Sequence, residues 1–182
     1  VNHNGSKERA KKLIDVAAGS GANAIKFQTF KAETLVSNDA PQFPYVETND
    51  NYQKTQFEML RDLELKYEWH EELMDYCNIK DITFLSTPFH ESDVDFLSTL
   101  AMPAYKIASG DVSNISFLKH VASKNKPIIA STGMATISET EMMYKTLVDA
   151  GCQKLAILHC TSNYPTSLND VNLRAMSTIQ NL

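Results

Sequence analysis

The chain has 182 residues, 43% of them hydrophobic and 21% charged, with a net charge of −5. That length suits one domain with a real core, and the acidic balance with no basic cluster argues against nucleic acid as the main partner. No apolar run reaches the roughly 18 residues that crossing a bilayer requires, so no membrane span is expected. Three cysteines (Cys77, Cys152, Cys160) lack metal-type spacing, and their odd count suits reduced thiols in a cytoplasmic protein.

In chain order, VNHNGS at residues 1–6 reads as the tail of a first strand already under way, since Val1 is not a methionine. A helix over KERAKKLIDVAAGSG follows, opened by Ser6 and stopped near Gly19 and Gly21. The apolar run AIKFQTF (24–30) is the next strand, interrupted by Lys26. Residues 31–55 show no periodicity and contain two prolines. So long an insertion reads either as a lid over a site at the strand ends or as a mobile loop.

The remainder alternates. KYEWHEELMDYCNIK, ESDVDFLSTLA, ISFLKHVASKN and SETEMMYKTLVDAG have helical patterns, the last opened by Ser138 and closed by Gly151. Between and after them stand TFLSTPF (83–89), AYKIASG (104–110), PIIASTG (127–133) and KLAILHCT (154–161), and SLNDVNLRAMSTIQNL forms a final helix. These strand starts lie 21, 23 and 27 residues apart, the length of a βα unit with short loops. Strands apolar on both faces imply an α/β fold with a parallel sheet under helices. A doubly wound sheet or a (β/α)8 TIM barrel fits that rhythm. Every strand becomes polar at its C-terminal end, and only a barrel gathers all such ends at one mouth. The expectation is therefore an incomplete barrel of about six βα units spanning residues 1–182.

Two lysines in apolar strands need a reason, because burying an unpartnered ammonium is costly. Alternation aims Lys26 and Lys106 at the mouth, beside Thr87, Ser109, Ser131 and Thr132, with Gly110 and Gly133 allowing close backbone approach. Lysines with hydroxyl and N–H donors suit a phosphate or carboxylate. The alternatives are a structural pairing with a buried acid such as Asp111, or a Schiff-base lysine, which accounts for only one of the two. His70, His90 and His120 fall in helices or helix starts and are expected at the surface. His3 and His159, near strand ends, could touch a ligand or metal. The pair Met142–Met143 is expected in the core.

Taken together, NHNGS, KFQTF, STPF, YKIASGD, STGM and LHCTSNYP, in this order on successive strands, resemble the sialic acid synthase family over the whole chain. The resemblance implies an enzyme that condenses phosphoenolpyruvate with N-acetylmannosamine or a related acylated hexosamine, giving a nine-carbon 2-keto sugar acid and phosphate. It implies that Lys26, Thr87, Lys106, Ser109 and Ser131 hold phosphoenolpyruvate with Gln28 nearby. Lys26, Lys106 and Asp111 would be catalytic, and neither lysine forms a Schiff base. Ser162, Tyr164 and Pro165 would line the acceptor pocket, and Asn2 and His3 lie in the first-strand motif where the family also has site residues. Asp111 stands where many members carry glutamate, and Ser162 where some carry asparagine.

The resemblance also implies a divalent metal, Mn2+ or Mg2+, with its histidine ligands expected beyond Leu182. By the same resemblance the glutamate before NHNG, the last two βα units and a C-terminal antifreeze-like domain are expected to lie outside residues 1–182. The full-length protein is expected to be a homodimer, and residues 1–182 alone to be inactive or poorly folded. Legionaminate and pseudaminate synthases share these motifs, and a non-catalytic sugar- or phosphate-binding fragment is the reading of another class.

Overall fold

The computed structural model describes residues 1–41 and 54–182. The central part of the long insertion, where the lid was expected, lies outside the described residues. The chain divides into two compact units, Val1–Phe96 and Leu97–Leu182.

The first unit opens with turns in place of the expected strand. Asn4 (φ 47°) and Gly5 (φ 68°) are both left-handed, and Ser6 N–H donates to the His3 carbonyl at 3.0 Å, so the backbone cannot run on extended. Gly5 is required there, because a Cβ would lie 2.1 Å from the Asp62 carbonyl oxygen. Ser6 then caps α1 (Lys7–Gly19) by accepting from Arg9 N–H. Strand β1 (Ala24–Thr29) follows, then the short α2 (Ala32–Leu35) and α3 (Gln56–Asp62). Next come a 3-10 turn (Tyr67–Trp69), α4 (His70–Ile79), β2 (Thr83–Pro88) and α5 (Glu91–Ser98), which runs into the unit boundary. Strands β1 and β2 pair in parallel, with Lys26 opposite Leu85, Gln28 opposite Thr87 and Thr29 opposite Pro88. Phe27 and Phe84 stack at 5.5 Å on the helix-covered face, over a core that includes Ile14, Leu73 and Cys77.

The second unit holds β3 (Tyr105–Ile107), a 3-10 turn (Ser109–Asp111), α6 (Ile115–Ala122) and β4 (Ile128–Ser131). It continues through α7 (Ile137–Asp149) and β5 (Leu155–Leu158) to a 3-10 turn (Leu168–Asp170) and α8 (Ala175–Gln180). The three strands are parallel and ordered β3-β4-β5, as in the chain. Tyr105, Ile107, Phe117, Leu118, Met143 and Leu147 fill the core. Five strands therefore stand among the described residues where six were expected. The final helix is only a 3-10 turn plus α8, and the cap of α7 is Thr136. Thr136 shares a capping box with Glu139, which displaces Ser138 into the first turn. Met143 is fully buried, but Met142 turns outward at 37% exposure, because adjacent helical residues point about 100° apart.

Candidate active site

In the first unit, the candidate residues lie at the C-terminal ends of β1 and β2. Burial alternates along β1, with Phe27 and Thr29 buried and Lys26 and Gln28 on the opposite face. Lys26 is exposed, yet it stands over a packed strand pair, and that desolvation lowers its ammonium pKa. Gln28 and Thr87 are register partners, so the amide and the hydroxyl occupy neighbouring places on one face. Asn2 is exposed in the turn that precedes α1. His3, by contrast, is buried, and its Nδ1 accepts from Gly5 N–H at 3.1 Å.

In the second unit, the candidate residues lie at the ends of β3, β4 and β5. Lys106 is only 9% exposed, and its Nζ donates to Ser131 Oγ and to the Ile107 carbonyl, each at 2.6 Å. These bonds hold the ammonium at the end of the parallel ladder, with Ser131 presenting a hydroxyl beside it. Gly133 (φ 53°) brings the β4–α7 loop against Ser109. A Cβ at position 133 would lie 2.4 Å from Ser109 Cβ and 3.3 Å from Ser162 Oγ. Lys106 and Ser131 therefore form a contact pair, and Ser109, Gly133 and Ser162 a cluster of three, within this unit. Thr132 ties β4 to β5: its Oγ1 donates to the Leu158 carbonyl at 3.2 Å and accepts from Cys160 N–H at 3.2 Å.

Asp111 lies in the turn after β3 and is half-buried, and burial alone pushes its carboxyl up to about 6. A carboxyl poised there can take or hold a proton near neutral pH. Tyr164 and Pro165 are exposed in the loop after β5 and joined by a cis peptide bond. Tyr164 also borders a cavity of about 300 Å³ lined by His159, Cys160, Thr161, Thr166, Val171 and Leu173. His159 is engaged through Nε2 with the Val171 carbonyl at 2.8 Å. Among the described residues, no three His, Cys, Asp or Glu side chains gather to hold a metal ion.

The surface expectation for His70 is overturned: the ring is fully buried. Its Nε2 lies 2.8 Å from Thr29 Oγ1, which in turn lies 2.7 Å from Ser86 Oγ, while Nδ1 lies 3.1 Å from the Lys66 carbonyl. Burial lowers the imidazole pKa to about 4. His70, Leu73 and Cys77 are the buried residues of α4, spaced i, i+3, i+7, and that period was the signal for an inward histidine. His90 is exposed as expected, and His120 is half-buried.

These features define an α/β protein with parallel strands that carries lysines and hydroxyls at its strand ends, groups whose chemistry suits an anion. The NeuB family profile matches residues 13–182, and the chain belongs to that family of sialic acid synthase-type enzymes. It is 45% identical to the N,N'-diacetyllegionaminic acid synthase of Legionella pneumophila, over 98% of this chain and 51% of that protein. It is 34% identical to the N-acetylneuraminate-9-phosphate synthase of Homo sapiens, over all of this chain and 50% of that protein. Among solved structures, an N-acetylneuraminic acid synthetase from Leptospira borgpetersenii in complex with citrate superposes with a TM-score of 0.84. That match has 29% identity and covers 99% of this chain and 58% of the other. The chain thus spans about half the length of the curated relatives it matches. Among the described residues, no helix is long and apolar enough to cross a membrane.

Proposed function

We propose that the protein to which this sequence belongs condenses phosphoenolpyruvate with an acylated amino sugar, N-acetylmannosamine in the first instance, to give N-acetylneuraminate and phosphate. Membership of the family supports the reaction class. The observation that carries the site is Lys106, a buried ammonium that donates to Ser131 Oγ at a strand end. On this reading the two parallel sheets belong to a (β/α)8 barrel, which agrees with the chain-order β3-β4-β5 sheet and the likeness to the Leptospira synthetase.

Lys26, Gln28 and Thr87 from the first unit and Lys106, Ser109 and Ser131 from the second are assigned to phosphoenolpyruvate. Their cations and donors balance its phosphate and carboxylate as charge moves between them. Ser162, Tyr164 and Pro165 are assigned to the acceptor sugar, and Asn2 to the rim of the site. Carbon 3 of phosphoenolpyruvate bonds to the aldehyde carbon, water adds at carbon 2, and the tetrahedral intermediate expels phosphate by C–O cleavage. Asp111, with its raised pKa, is the group suited to passing a proton during these steps. By resemblance the family uses a divalent metal.

A second acceptor is favoured by one finding. Identity is 45% to a diacetyllegionaminic acid synthase against 34% to an N-acetylneuraminate-9-phosphate synthase, so a diacetylated amino sugar belongs in the same assay. The test incubates the full-length gene product with phosphoenolpyruvate, manganese and each sugar, following phosphate release and product mass, with Lys106→Ala as control. Release that depends on sugar and on Lys106 supports the reading, and the productive sugar names the acceptor. Silence with every acceptor from a folded protein overturns it and leaves a binding module.

A further inference from the structure

Three buried polar side chains lie on the helix-covered face of the first unit, opposite the face assigned to substrate. Thr29, His70 and Ser86 are each fully buried. The His70 ring is boxed by Phe96, Phe84 and Tyr67 at centroid distances of 5.0, 6.0 and 6.1 Å. In such a place aliphatic residues would pack as well, and three polar groups are tolerated only when every one is satisfied.

The bonding is directional. The Lys66 carbonyl can only accept, so Nδ1 of His70 carries the proton and Nε2 is a bare acceptor. Thr29 must then donate to Nε2, which leaves its oxygen to accept from Ser86. The chain runs Ser86 to Thr29 to His70 to the Lys66 carbonyl, linking β2, β1, the head of α4 and the turn before it. Tyr67 in that turn donates to Asp93 Oδ1 at 2.5 Å, and Phe89 N–H reaches the other carboxylate oxygen at 3.4 Å, extending the tie to the loop after β2.

The relay sits at the C-terminal end of the β1–β2 ladder, where the last register pair is Thr29 with Pro88. The neighbours of the two linked hydroxyl residues are Gln28 and Thr87, themselves register partners on the opposite face. We propose that His70 is a positioning residue: through Thr29 and Ser86 it locks the ends of β1 and β2 so that Gln28 and Thr87 meet phosphoenolpyruvate in fixed geometry. This rests on the assignment of those two residues to that substrate.

The experiment uses the full-length protein and steady-state kinetics with phosphoenolpyruvate and sugar varied in turn. Thr29→Val keeps the shape and removes both hydroxyl bonds. It is expected to raise KM for phosphoenolpyruvate about tenfold, the scale of one buried hydrogen bond, with KM for the sugar unchanged. Thr29→Ser restores the hydroxyl and is expected to return KM to within about twofold of the parent on the same grounds. Histidine 15N shifts are expected to show His70 with a protonated Nδ1 and a bare Nε2 at neutral pH. Parallel increases in both KM values without rescue by serine, or a His70 protonated at Nε2, overturn the proposal. Gln28→Ala and Thr87→Ala separate the two ideas. If they leave KM for phosphoenolpyruvate unchanged, the substrate assignment itself fails. If they raise it while Thr29→Val does not, only the relay fails.

Discussion

Replacing Gly133 by alanine tests the packing of the second unit against the chemistry assigned to it. The added Cβ would stand 2.4 Å from Ser109 Cβ and 2.5 Å from Ser109 Oγ. Unstrained carbon–carbon contacts lie near 3.5–4.0 Å, so Ser109 or the loop must withdraw by roughly 1 Å. At φ 53° a non-glycine residue costs about 1–2 kcal/mol, and overpacking adds about 1–3 kcal/mol. The expected loss of stability is therefore roughly 2–5 kcal/mol, a large share of the ~5–15 kcal/mol that holds a typical domain together. Ser109 is displaced in the same movement, and a misplacement of that size can cost about 100-fold in turnover. Denaturant unfolding monitored alongside phosphate release measures both. The double variant Gly133→Ala/Ser109→Gly removes the clashing side chain, and should recover the overpacking part of the stability loss but not the backbone part. If Gly133→Ala unfolds within about 0.5 kcal/mol of the parent and turns over normally, the close approach of the two loops is refuted.

Other outcomes follow from individual side chains. His70 has a folded pKa near 4, below its ordinary 6.5, so its neutral form contributes stability that is full above pH 6.5 and lost as pH falls towards 4. The loss is about 3 kcal/mol, and a pH series of unfolding curves should show it shrink in His70→Gln. Asp111 has the opposite sign. Its carboxyl is raised to about 6, so ionising it weakens the fold above pH 6, and the penalty disappears as pH falls through 6 towards 3.8. Asp111→Asn should therefore gain up to about 2 kcal/mol at pH 8 after solvent screening, a gain absent near pH 4, while phosphate release falls. Lys106→Met should keep the fold yet lower sugar-dependent phosphate release by about 100-fold or more; activity within tenfold of the parent removes Lys106 from the catalytic group. Thr136→Ala breaks the capping box of α7 and should cost about 1 kcal/mol in unfolding experiments without changing either KM.

The sequence by itself determined the alternation of strands and helices, because periodicity and caps are local. Lys7–Gly19 opens behind Ser6 and five of the expected strands stand where apolar runs meet polar ends. Lys106 was legible too, since an ammonium in an apolar strand requires a non-local reason, and the structure supplies Ser131 as its neighbour. Residues 1–5 were misread because VNHNG says nothing of the Asp62 carbonyl, which leaves room only for a left-handed glycine turn. His70 was misread for a related reason. Its environment is made by Thr29, Ser86 and Phe96, residues between 16 and 41 positions away that only strand pairing and helix docking bring to one ring. Local pattern decides which elements form. Which polar group is sealed, which tautomer it adopts and which glycine admits no methyl are decided by atoms distant in the chain, and those are properties of tertiary structure alone.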